Sequence, residues 1–207
     1  MPTPRPTLLA PIYSLTSTFA AGASPSIILT HFTTSPPPVA HEYGSSHLQS
    51  QLPFIGRDFT GLSGVGEYFD LLAEHLSHSD MTFDSEDDWV VDPQNMIVCL
   101  RGSARFTHKV TRQSWNEVFM WRVSLSEDLG ESEPDPGQGL KVQDYRVWAD
   151  TGAAFLASRG EWSNIVVQGG GEVDQGKSTS QETTNTEPVN PIVHRLGDGL
   201  SSYGSCG

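Results

Sequence analysis

Lys141–Gly160, KVQDYRVWADTGAAFLASRG, is the stretch on which the fold turns. Val142, Tyr145, Val147 and Trp148 favour an extended chain, and the run stops at Asp150-Thr151, where an Ala-rich, helix-capable segment begins. Two further strand-like runs precede it, MIVCLRGSARFTH from Met96 and SWNEVFMWRVSLS from Ser114, whereas the first half of the chain is patterned for helices. That order predicts an α+β domain with helices of the N-terminal half packed on one curved antiparallel sheet.

Working outward, Leu8, Ile12, Leu15 and Phe19 recur at helical spacing and predict a first amphipathic helix. The run LLAPIYSLTSTFAAGA from Leu8 also has the look of a secretory signal, but Pro11, Ser14, Thr16, Ser17 and Thr18 interrupt it, and the helix is the reading adopted. Ser24-Pro25 opens a short second helix, with Ser24 as N-cap and Pro25 at the first helical position. After Pro36-Pro37-Pro38, residues Val39–Tyr43 form a short strand. Val65, Tyr68, Phe69, Leu72 and Leu76 then give the clearest helical period in the chain, a third helix ending near Ser77. Four β-type runs follow, at Met81–Asp92, Asn95–Lys109, Ser114–Ser126 and Lys141–Ala149. The Pro-, Gly- and acid-rich segment Glu127–Gly139 reads as a solvated hairpin loop.

QGGGEVDQGKSTSQETTNTEPVNP, residues 168–191, has almost no large apolar residues and cannot bury enough surface to offset the entropy of ordering, so 164–207 reads as a mostly disordered polar tail behind a 1–163 domain. A formal net charge of −13 with only 12 Lys and Arg argues against nucleic acid and anionic membranes as partners. Cys99 lies in a strand run and Cys206 in the tail, which fits unpaired thiols in a reducing, cytoplasmic setting. No run is long enough to span a bilayer.

The order of elements, with Phe59, Gly61, Val65, Tyr68 and Phe69 before the sheet and Gly102, Trp115, Glu117, Phe119, Trp121, Tyr145, Trp148 and Asp150 within or just after it, resembles the nuclear transport factor 2-like superfamily and its SnoaL-like group over roughly Leu8–Arg159. The resemblance implies a cone-shaped, curved antiparallel sheet with the three helices on its concave face, a deep pocket between them, and a homodimer formed through the sheet. It also implies a choice of roles, because members include isomerases, dehydratases, epoxide hydrolases and cyclases as well as proteins with no catalytic role.

In catalytic members a carboxylate or histidine on the strand after the second helix serves as general base, a position filled here by His41 and Glu42. Alternation lets at most one of this pair face the pocket, where burial would raise a carboxyl pKa toward neutrality; the other reading is a solvated edge strand. Tyr145 is a candidate donor to a developing oxyanion. Arg122 is a candidate polarising group, although an ion pair with Asp144 or Glu117 is the favoured reading for it. One face of Ser114–Ser126 is aromatic and reads as core, dimer interface or a wall for a flat apolar ligand; Tyr13, Tyr68, Trp121 and Trp148 are the expected ligand contacts.

Asp150 reads as a helix cap and Gly61–Gly66 as a turn opening a helix, not a phosphate loop. His75, His78 and Asp80 lack an evident fourth ligand, so neither a metal nor a cofactor is expected. Two functions stay open. One is a binder of a small apolar organic molecule, with or without cofactor-independent isomerase, lyase or cyclase chemistry by Glu42 or His41 as base with Tyr145 and Arg122. The other is a non-catalytic dimeric interaction protein of the same fold.

Overall fold

The computed structural model describes residues 2–130 and 139–164. The expected tail at 164–207, apart from Asn164, and most of the acidic loop lie outside the described residues. Helix α1 spans Arg5–Ala20, with Pro6 in its first turn, and runs through Pro11 without ending. Leu8, Leu9, Ile12, Leu15 and Phe19 are buried along it, each contributing roughly 1.5–3 kcal/mol from the apolar area removed from water. This face makes α1 part of the core. The short α2, Pro25–Ile28, passes into a tight turn at Leu29–His31. Ser24 precedes it in extended conformation but makes no side-chain cap; its hydroxyl instead lies 2.9 Å from that of Ser26.

Strand β1, Val39–Glu42, and the two-residue β2, Phe59–Thr60, lead into α3, Gly61–His75. Gly61 has φ +74°, a left-handed turn into the helix that a residue with a Cβ adopts only under strain. The chain then continues as β3 (Leu76–Phe83), β4 (Val90–Asp92), β5 (Ile97–His108), β6 (Ser114–Ser126), β7 (Lys141–Trp148) and α4 (Thr151–Ser158). Strand β3 starts five residues before the expected Met81. Leu76 continues the apolar spacing of α3, so the change of period is hidden there; the residues that follow are polar, and the strand is held by antiparallel pairing of Leu76 with His108 rather than by its own propensity.

The sheet is curved, unclosed and mostly antiparallel, in the order β2-β1-β7-β6-β5-β3 with β4 also on β5. The exception to the expected antiparallel pattern is β1, which lies parallel to β7 and brings Glu42 opposite Val147. Register shifts at Ser79/Thr82 and Ser124/Leu125 mark bulges, which bend and twist long strands. The second shift has a further effect: it puts Val142 in the core beside Tyr145, where simple alternation would place it outward with Asp144. Asp128 pins the end of β6, its carboxylate accepting from the backbone N–H of Thr34 and Ser35, the Thr34 hydroxyl and the Lys141 ammonium. No helix among the described residues is long and apolar enough to cross a membrane.

Candidate functional site

Between α1, α3 and the concave sheet face lies a cavity of about 390 Å³, within the size range of small-molecule sites. Strand β6 shapes one wall by alternation: Trp115, Glu117, Phe119 and Trp121 point inward, while Asn116, Val118 and Met120 are exposed. Phe119 lies over Gly102 of β5, where a Cβ would come within 2.5 Å of the ring, so this wall requires glycine. Helix α3 supplies Tyr68, Phe69 and Leu72, strand β7 supplies Tyr145 and Val147, and β1 supplies Glu42. The exposed lining residues Gly22, Ser24, Ser77, His78 and Lys109 mark the mouth.

Glu42 is the most perturbed acid of the cavity. The Tyr68 hydroxyl donates to its Oε2 at 2.8 Å, and Tyr68 is its only side-chain partner among the described residues. Burial pushes the Glu42 carboxyl up to about 8; the Tyr68 bond pulls the other way and the negative field of Glu117 adds to the rise. Glu117 is held by both oxygens, accepting from Trp115 Nε1 at 2.6 Å and from the Asp150 backbone N–H at 3.1 Å. Its carboxyl is also raised, by burial first, with those two bonds opposing and the Asp150 carboxylate reinforcing. Tyr145 is 2% exposed overall and lines the cavity; its hydroxyl makes no hydrogen bond among the described residues and, since no buried polar side-chain atom among them lacks a partner, it opens onto the cavity space. Burial, then the proximity of Glu42, lifts its phenol well above the ordinary range, so it remains a neutral donor.

No family model and no curated protein matches the chain by sequence. Solved structures do match in shape. The BvnE pinacolase of Penicillium brevicompactum superposes with a TM-score of 0.51 at 14% identity, covering 79% of this chain and 98% of that one. AusH from Aspergillus nidulans gives 0.51 at 15% identity over 72% and 88%, and a nuclear transport factor 2-like protein from Burkholderia xenovorans gives 0.50 at 13% identity over 73% and 95%. The fold is that of the nuclear transport factor 2-like superfamily.

In this nuclear transport factor 2-like cone, the expected site residues divide by face. Glu42, Tyr68, Trp121 and Tyr145 come together in the cavity. His41 does not: alternation along β1 turns it outward, where Nδ1 lies 2.7 Å from Asp58 Oδ1 and the ring packs on Tyr43. Arg122 also points outward and donates to Asp144 Oδ2 at 2.9 Å, the structural pairing favoured for it; Glu117, on the inner face, is out of its reach. Tyr13 is one step round α1 from buried Ile12 and, itself exposed, covers the buried Trp89 ring away from the cavity. Trp148, one residue past inward Val147, stacks at 4.4 Å on Tyr43 over the outer face. Asp150 caps α4 by accepting from Ala153 N–H at 3.0 Å, as its position before the Ala-rich run implies. His78 bonds the Phe19 carbonyl at 3.1 Å.

The residue missed as a site group is Glu117. Its signal was its place in the inward register of Trp115, Phe119 and Trp121, an acid on an otherwise aromatic face.

Proposed function

We propose that this chain binds a small, largely apolar organic molecule in the cone cavity and moves a proton on it without a cofactor, in an isomerisation, dehydration or cyclisation. Glu42 is the acid–base group, Tyr68 orients it, and Tyr145 donates to the ligand oxygen on which negative charge develops. The observation that supports this reading most is the placement of Glu42: a buried carboxyl on an apolar cavity, bonded by one phenol. With its pKa near 8, both protonation states are populated close to neutral pH, as a group that first gives and then takes a proton requires. That the fold neighbour BvnE is a pinacolase adds support for chemistry in a pocket of this shape.

The test is native mass spectrometry of the purified chain, followed by incubation of wild type and Glu42→Gln with any retained molecule and its close analogues. Retention of an organic ligand by both proteins, with turnover only by wild type, is expected. Equal turnover by the variant removes Glu42 from the chemistry. A ligand that neither protein transforms leaves a binding protein.

A second reading, a non-catalytic dimeric interaction protein, is favoured by the outer sheet face, where Val118 is 61%, Met120 40% and Trp148 42% exposed. Exposed apolar side chains gathered on one sheet face suit a second copy of the chain. Sedimentation of wild type and Met120→Glu tests it: a dimer converted to monomer is expected, and a wild-type monomer ends the dimer.

A further inference from the structure

The polar groups of the cavity are unbalanced in sign. Glu42, Glu117 and Asp150 reach its lining, whereas its one ammonium among the described residues, Lys109, sits exposed at the mouth and donates to the Ala73 carbonyl. Around the carboxylates the wall is aromatic. Trp121 has ring centroids of Phe19, Phe119 and Tyr145 within 4.8, 5.5 and 5.1 Å, and Trp115 donates to the same Glu117 that it flanks. Ring faces attract cations through their quadrupole, most strongly where water is excluded, and a fixed carboxylate beside them adds direct charge attraction. A neutral ligand leaves an ionised Glu117 without a counter-charge in the cavity. A cationic one supplies it. The Tyr145 hydroxyl, which makes no hydrogen bond among the described residues and is open to the cavity, is placed to meet a ligand oxygen or N–H in the same space.

We infer that the ligand is an apolar molecule carrying a positively charged nitrogen, a protonated amine or quaternary ammonium, lodged beside Glu117 against the rings of Trp115, Phe119 and Trp121, with a hydroxyl or N–H within reach of Tyr145. This deepens the proposed function and rests on its cavity, but not on catalysis. It assigns Glu117, rather than Glu42, as the group that selects ligand charge, because Glu117 stands in the register of Trp115, Phe119 and Trp121 and has a donor on each of its two oxygens, where Glu42 has the Tyr68 hydroxyl alone.

The test is calorimetric titration of the full chain with benzyl(hydroxyethyl)dimethylammonium and with the neutral alcohol of the same shape in which carbon replaces the nitrogen. The cation is expected to bind at least about ten-fold more tightly, the size of one desolvated cation–π contact with a nearby carboxylate. In Glu117→Gln that ratio should fall to the few-fold preference that the rings alone provide, while the alcohol keeps its affinity. If the alcohol binds wild type as well as the cation or better, the charge inference is overturned and the apolar pocket stands. If neither binds, both are overturned. An unchanged ratio in a folded Glu117→Gln protein removes Glu117 from the assignment, and should that variant fail to fold, the wild-type ratio decides alone.

Discussion

The two faces of one sheet treat the same kinds of side chain in opposite ways. On the outer face of β1 and β7, Asp58 and Asp144 are met by His41, Arg122 and Arg146 at 2.7–2.9 Å. The His41 bond, with Arg146 beside it, holds the Asp58 carboxyl below its ordinary value against a modest opposing effect of burial. On the inner face, one residue along from His41, Glu42 meets a phenol and other acids, and its pKa moves up instead of down. Alternation is the whole difference, since a one-residue step along a strand exchanges a solvated ion pair for a desolvated carboxyl. The outer acids answer to nearby cations and the inner ones to burial. The inner arrangement is costly for folding, which is the sense in which it suits a site.

Replacing the inner carboxyl should therefore produce the largest effect. Glu42 has a folded pKa near 8, above its unfolded value, so the folded state binds more protons between those two values. As far as Glu42 is concerned, stability is highest below the unfolded pKa, falls as pH rises toward 8, and levels off above it. The full swing is at most about 5 kcal/mol, taking 1.4 kcal/mol per unit as the conversion. Glu42→Gln keeps an acceptor for Tyr68 and loses the charge. Urea unfolding at pH 5, 7 and 9 should show the variant and wild type converging at acid pH and the variant gaining about 3–5 kcal/mol over wild type at pH 9. Glu117, raised in the same direction, leaves a residual slope in both proteins. Parallel curves would mean that Glu42 is hydrated enough to ionise normally, and the contrast between faces would collapse.

The aromatic residues sharpen the same comparison. Trp121, 3% exposed, packs inside, whereas Trp148 stacks on Tyr43 outside with 42% of its surface in water. Trp121→Ala should cost about 3 kcal/mol, at the low end for a buried aromatic because the ring already borders empty space. Trp148→Ala should cost about 1 kcal/mol, little more than the loss of a half-exposed stack. Thermal unfolding of the two variants side by side reads the difference, and equal losses would place Trp148 in a buried interface. Tyr68→Phe comes next. It removes the side-chain donor to Glu42, at about 1 kcal/mol while the acid is neutral and about 2 kcal/mol once it is charged. The Glu42 titration, followed by carboxyl carbon NMR, should move above pH 8. A downward move would show that another donor takes over.

How much of this could be read from the sequence depends on whether a feature is periodic. Strand β6 was legible end to end because Trp115, Phe119 and Trp121 alternate with Asn116, Val118 and Met120, and its inner and outer faces follow from that pattern alone. The core face of α1 was legible for the same reason in its own period. The start of β3 was not, because Leu76 serves both the helical spacing and the strand, and the residues after it are polar. The parallel seating of β1 on β7 joins segments about a hundred residues apart, which no local pattern records. Of the site, the pairing of His41 with Glu42 as alternatives came from alternation, but which one faces inward is set by that distant pairing. Glu117 was visible as an acid among aromatics, and its partners Trp115 Nε1 and the Asp150 N–H were not, since one depends on a rotamer and the other on where α4 begins.

The smallest effect belongs to the outer face. Arg122 is about a third exposed and donates to Asp144, which also accepts from Arg146 Nε at 2.7 Å, while Arg146 reaches on to Asp58. Because Arg146 stays in place, Arg122→Ala leaves Asp144 paired, and the cost should be only 0.2–1 kcal/mol, approximately the worth of an exposed ion pair. Raising the salt to about 1 M shortens the screening length to roughly 3 Å and should halve that cost or better. Asp144→Ala should cost more, since it removes the acceptor of both guanidinium groups and leaves Arg146 with Asp58 alone, and the double variant measures the coupling between Arg122 and Asp144. Chemical denaturation of the set in low and high salt is sensitive enough to rank them. A salt-independent loss of more than about 2 kcal/mol at Arg122 would lie outside the range of a solvated pair, and would place that guanidinium in a buried contact, as the homodimer proposed for this face would provide.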